Sequence, residues 1–192
     1  MKQALLIIDM QNGFLNPESP LCIHGALPTV PACARTISAC RNAGLPVIFV
    51  NRRYRADGSD VELTRRQLWA RGGKPLTLGS TGPLSVENPP EFGREDGDYE
   101  IIKPRYSAFF QTSLDLLLRR LCVDTVVLTG TTTPNCIRTT CYDAISLDYH
   151  VVILDDCCSS NTDAIQQANM LDMANVGAEI LSSGAFLEAL EE

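Results

Sequence analysis

Three residues at the ends of apolar runs carry complementary chemistry: Asp9 in ALLIIDM, Lys103 in YEIIKP and Cys136 in GTTTPNC. A thiolate attacks an electrophilic carbon, a carboxylate takes and returns a proton, and a neighbouring ammonium holds both in their ionised forms. The chain has eight cysteines and no CxxC pair, so the first question is which thiol could react. Cys136 follows the β-branched run DTVVLTG and opens a segment with helical spacing. Free N–H groups and the macrodipole at a helix start favour a thiolate and lower its pKa. Cys141 lies beyond that first turn, and Cys33, Cys40 and Cys122 fall within or at the end of amphipathic helices, where packing accounts for them. Cys22 sits in a loop without a visible activator. Cys157 and Cys158 close a strand and compete on location, but no helix starts immediately after them.

The chain holds only two histidines, His24 and His150, and neither stands at the carboxyl end of a predicted strand, so a Cys-His pair is not indicated. Asp9 and Lys103 are the available proton carrier and counter-charge. Taken singly, Asp9 reads equally as a cap and Lys103 as an exposed strand-end charge. An Asp, a Lys and a Cys on three strand ends together point to a site.

The elements that must position them alternate along the chain. Strands are predicted at 4–10, 46–51, 99–104, 124–130, 150–156 and 178–182. Helices are predicted at 30–44, at 113–123, from Asn135 onward, at 162–177 and at the end of the chain, with Gly44 as a C-cap and Thr162 or Asn161 as an N-cap. Near-continuous apolar strands between helices indicate a parallel sheet covered on both faces, a three-layer α/β/α doubly wound domain. In such sheets ligands bind beyond the carboxyl ends of the strands, which selects Asp9, Asn51, Lys103, the loop 129–136 and residues 155–159.

At 192 residues the chain reads as one domain spanning 1–192. Its 45% hydrophobic and 20% charged residues are a globular composition, and a net charge of −7 argues against nucleic-acid or anionic membrane partners. An aspartate interrupts the apolar run at the N-terminus, which reads as a strand rather than a signal peptide, so a cytoplasmic location is expected. No short-range cluster suits a metal. Residues 52–98 break the alternation. They read either as a solvated insertion with a short helix near 60–70 or, because Trp69 lies within them, as a lid or subunit contact.

The blocks LLIIDMQNGF, IIKPRYSAFF and VVLTGTTTPNCIRTTCYDA resemble, in order, those of the isochorismatase-like cysteine hydrolase superfamily, with the likeness running from about residue 3 to residue 182. The resemblance implies a six-stranded parallel sheet in the order 3-2-1-4-5-6, and usually a homodimer or homotetramer. It places the catalytic Asp on Asp9, the Lys on Lys103 and the nucleophile on Cys136. It also implies a cis peptide between Thr131 and Thr132, and an oxyanion hole from the N–H groups of Thr132 and Cys136.

Nicotinamidases in that superfamily carry a metal-binding D-x-H motif after strand two; here the positions read Asn51-Arg52-Arg53, and residues 52–98 contain no histidine. A metal-free enzyme without cofactor is expected, and nicotinamidase is rejected. Isochorismatases proper typically lack the cysteine, so Cys136 favours C–N hydrolysis of a small amide or ureido substrate through a thioester. The competing readings are vinyl ether hydrolysis with Asp9 as the acid, and a catalytically idle binding or assembly module.

Arg52, Arg53, Arg55 and Arg105 crowd near the ends of strands two and three, where they suit a substrate carboxylate or, alternatively, pair with Asp57, Asp60, Glu62 or a partner subunit. Phe14, Trp69, Tyr106 and Phe109 are candidate pocket walls, and Asn135 is a candidate polar contact.

Overall fold

Strands form where aliphatic and β-branched residues run without a polar break. In the computed structural model, which describes residues 2–191, such runs make β1 (Gln3–Ile8), β2 (Val47–Arg52), β3 (Tyr99–Lys103), β4 (Thr125–Thr131), β5 (His150–Ser159) and β6 (Glu179–Leu181). All neighbours are parallel, and the order β3-β2-β1-β4-β5-β6 is the one expected. Leu5 pairs with Val47 on one side and Val127 on the other, so β1 and β4 hold the centre.

The helices, in chain order, are α1 (Asn12–Leu15), α2 (Val30–Asn42), α3 (Arg66–Arg71), α4 (Leu114–Arg120), α5 (Arg138–Ser146), α6 (Asp163–Asn175) and α7 (Ser183–Glu191). Alternate residues of β1 feed opposite cores. Ala4, Leu6 and Ile8 pack with α4, α5 and α6, while Leu5 and Ile7 pack with α2 and α7. Each fully buried Leu or Ile side chain among these contributes about 1.5–3 kcal/mol of burial free energy. Among the described residues no helix is long and apolar enough to cross a membrane.

Helix ends follow local chemistry. Gly44, at φ +71°, ends α2 with the Leu45 N–H donating to the Cys40 carbonyl and its own N–H to that of Arg41, a Schellman arrangement. Thr162 caps α6 by accepting from the Ile165 N–H. β5 outruns its predicted end, and its register against β4 shifts between Leu128 and Gly130. Asp155 and Asp156, expected near the site, are instead exposed there; Asp156 accepts from both the N–H and Oγ of Ser183 at the start of α7 (2.7 and 2.6 Å).

Residues 52–98 are more than a solvated insertion. Phe14, Tyr54, Val61, Trp69 and Leu76 form a small core of their own, and an isolated bridge joins Tyr54 to Thr77. Trp69 is 4% exposed within this core, and its Nε1 donates to the Pro75 carbonyl. The segment is tied to β2 by Arg52, which is ion-paired with Glu62 while the Tyr54 hydroxyl donates to the same carboxylate at 2.7 Å. Burial works against the charge on Arg52, but Asp9, Tyr54, Cys136 and Glu62 outweigh it and hold the guanidinium protonated.

Two outcomes follow for stability. At Gly130 (φ +116°) an added Cβ would meet the Ile8 carbonyl oxygen at 2.1 Å, across the centre of the sheet. Gly130→Ala is therefore expected to cost well over about 1 kcal/mol, read as a lowered urea midpoint or insoluble expression. Glu62→Ala leaves a buried guanidinium unpaired and should cost about 3–5 kcal/mol. The double variant Arg52→Met/Glu62→Leu should be more stable than Glu62→Ala in the same urea titration.

Candidate active site

The carboxyl ends of β1, β3 and β4 converge. Asp9 follows β1 directly with φ 53°, its N–H held by the Val50 carbonyl. Lys103 is the last residue of β3 and is fully buried, as is Asp9 at 1% exposure. The Lys103 Nζ stands 2.7 Å from Asp9 Oδ2, donates to the Arg105 carbonyl at 3.1 Å and lies 3.5 Å from Cys136 Sγ. Neither Asp9 oxygen receives an aligned hydrogen bond from the described residues, so the carboxylate keeps acceptor capacity for a proton. Asp9, Lys103 and Cys136, picked from three strand ends, are thus brought together.

Cys136 does not open a regular α-helix. It lies in a wide turn, Thr133–Ile137, in which the Ile137 N–H reaches back to the Thr132 carbonyl, and α5 begins only at Arg138. The peptide between Thr131 and Thr132 is cis. The threonines hold this turn to β5: the Thr132 and Thr133 hydroxyls donate to the Ser159 carbonyl, and Ser159 Oγ donates to Thr131 Oγ1.

The expected lowering of the Cys136 pKa is corrected. Burial pushes this thiol up and the Asp9 carboxylate adds to the rise, while Lys103 and Arg52 pull down without overcoming it. Donors of the turn are also partly consumed, since both the Asn135 and Ile137 N–H groups are spent on the Thr132 carbonyl. Cys136 thus carries a raised pKa beside the ion pair of Asp9 and Lys103. Cys157 and Cys158, its rivals on location, are buried in opposite cores, Cys157 with its sulfur 3.7 Å from Thr36 Oγ1.

A cavity of ≈ 300 Å³ opens over these groups. Asp9, Thr131, Thr132 and Cys136 line it on the strand side, joined by Phe14, Arg52, Tyr106 and Asn135 from the predicted contacts. Three predicted contacts do not line it. Trp69 is in the insertion's core, and Phe109 stacks on Tyr149 with centroids 5.8 Å apart. The guanidinium of Arg105 is bound to the carbonyls of Asp60 and Pro104, and what Arg105 offers the site is its own carbonyl, shared by Lys103 and Arg52.

Some participants escape the sequence reading. Gln11, inside the DMQNGF block, accepts from the Arg52 N–H and donates to the carbonyls of Arg52 and Val86, fastening β1, β2 and the insertion together. Arg65 and Leu68 reach the cavity from the insertion, and Asn161 and Ile165 reach it from the start of α6. No motif marks these four, because only the folded chain brings their segments to the rim. Asn51 turns away to Asn88 and Glu100. Among the described residues no group of three or more His, Cys, Asp or Glu is placed to hold a metal ion.

Comparison with known proteins agrees with this architecture. The Isochorismatase domain model matches residues 3–185. The chain is 39% identical over 178 residues to a probable inactive nicotinamidase of Arabidopsis thaliana, covering 92% of this chain and 90% of that protein. Among solved structures, an isochorismatase family protein from Desulfovibrio vulgaris superposes with a TM-score of 0.91 at 40% identity, covering 100% of this chain and 99% of that one. N-carbamoylsarcosine amidase from Thermoplasma acidophilum gives 0.79 at 30% identity, covering 95% and 97%. With its sheet order and a family match over nearly its whole length, the chain belongs to the isochorismatase family of hydrolases.

Proposed function

We propose that this chain hydrolyses a C–N bond of a small amide or ureido substrate through a thioester on Cys136. The observation that carries the proposal is the buried ammonium of Lys103, within 2.7 Å of Asp9 and 3.5 Å of Cys136, the two residues that line a small cavity beside it. The similarity to N-carbamoylsarcosine amidase, whose name denotes such a hydrolysis, supports it.

In this reading the thiol proton passes to Asp9 as Sγ attacks the carbonyl carbon, and Lys103 stabilises the charge that shifts from carboxylate to sulfur. The N–H groups of Thr132 and Cys136 receive the oxyanion; one such donor is worth about 10²–10³ in turnover. Collapse breaks the C–N bond, and Asp9 returns its proton to the leaving ammonia or amine. Water then adds to the thioester, giving a proton to Asp9. The carboxylic acid leaves, and the thiol regains its proton from Asp9. The cycle is complete with protein groups and water.

The substrate side of the test is an ammonia-release screen over small primary amides and ureido acids. Cys136→Ala and Asp9→Asn should each lower kcat by about 10²–10⁴-fold with the fold intact by circular dichroism. Undiminished turnover in Cys136→Ala would sink the covalent route.

The raised thiol pKa gives a second outcome, readable without substrate. Exposed Cys122 should take iodoacetamide at neutral pH, whereas labelling of Cys136 should rise only at alkaline pH. Asp9 contributes to the rise, so Asp9→Asn should move the Cys136 midpoint down; Lys103 opposes it, so Lys103→Met should move it up. Both are read by peptide mass spectrometry across a pH series. Shifts of opposite sign would refute the assigned electrostatics.

A further inference from the structure

Two arginines line the cavity, Arg52 and Arg65, and only the second, which the sequence did not single out, has a free charge. Arg52 is committed to Glu62, Tyr54 and the Arg105 carbonyl; Arg55 stands 3.5 Å from Asp57; and the guanidinium of Arg105 is held by two carbonyls. Arg65 lines the cavity, and among the described residues no carboxylate lies within ion-pair distance of it. Its guanidinium carbon lies 5.1 Å from the centroid of Tyr106, a ring that also lines the cavity. Stacking of this kind fixes a guanidinium while leaving its N–H donors for a planar anion.

The charges around the cavity make the same point. Asp9 is balanced by Lys103, and Arg52 by Glu62. Arg65 is then left as an uncompensated positive charge in a chain of net charge −7. A cavity lined by one surplus cation suits an acceptor carrying one negative charge. The turn that supplies Glu62 to Arg52 also carries Arg65, whose N–H bonds the Glu62 carbonyl, so the neutralised and the free arginine are set by one short stretch of backbone.

We infer that Arg65 is the specificity-determining residue of this site, binding the carboxylate of an anionic amide or ureido acid whose carbonyl is presented to Cys136. The inference rests on the proposed hydrolysis for the identity of the scissile group, and on the cavity's own charge for the carboxylate. The ≈ 300 Å³ of space limits the ligand to a short acid.

The experiment compares succinamate and N-carbamoylglycine with their uncharged counterparts succinamide and N-carbamoylglycine methyl ester. Ammonia release is measured with the wild type, Arg65→Gln and Arg65→Lys, and binding by calorimetry on Cys136→Ala with and without Arg65→Gln. The expected result is a preference of the wild type for the acids that Arg65→Gln reduces by about 10–100-fold, mainly through KM, with Arg65→Lys restoring part of it. Unchanged melting temperatures would exclude a folding defect. Equal use of acids and neutral compounds by the wild type would overturn the role of Arg65 while leaving the hydrolase reading intact. Arg65-dependent binding of the acids without hydrolysis would keep the role of Arg65 and overturn the hydrolase reading. Absence of both binding and turnover with the acids would overturn this inference.

Discussion

The site depends on one buried ion pair, Lys103 with Asp9. Taking both charges out of water costs several kcal/mol per ion, and close approach with further hydrogen bonds is what offsets it. The strand order makes that approach demanding, because β2 lies between β1 and β3. Lys103 and Asp9 therefore meet across the end of β2, where Arg52 is a second cation within Coulombic reach of Asp9. Glu62 occupies that arginine, and Gln11 fixes the backbone beneath it. The architecture around the site can be understood as what keeps Asp9 paired with the right cation.

The same pair explains the resting state of the sulfur. A thiol in a low-dielectric setting beside a carboxylate stays protonated unless its proton has somewhere to go. Asp9 retains that capacity because its oxygens are not saturated with aligned donors. A protonated, buried sulfur is also a poor target for oxidants, whose attack follows thiolate character and exposure.

Much of this was legible in the sequence, for a physical reason. Runs such as ALLII and TVVL are buried on both faces, so their composition alone marks the centre of a parallel sheet, and strand-end rules then select Asp9, Lys103 and Cys136. Less visible was anything decided by geometry across distant segments. A helix start at Cys136 was a fair expectation, but the turn spans Thr133–Ile137 and burial dominates the thiol. Four arginines near two strand ends look alike in sequence; Glu62, Asp57 and a few carbonyls distinguish them only in three dimensions. Trp69 drew notice for its rarity, yet a large apolar side chain is most often spent on packing, as it is here. The threonines of GTTTPNC hold the turn to Ser159, a contact between strands that local spacing does not encode.

The small core of the insertion has a consequence for how such a protein can change over time. Phe14, Tyr54, Val61, Trp69 and Leu76 pack largely apart from the two cores that flank the sheet, while Phe14 also lines the cavity. This core joins the segment to α1, while Arg52 and Gln11 fasten it to the sheet. Sequence drift within it can reshape the rim while the strand ends that hold Asp9, Lys103 and Cys136 stay in register. Such change is bounded where the segment meets the sheet, because Glu62 and Tyr54 within it hold Arg52.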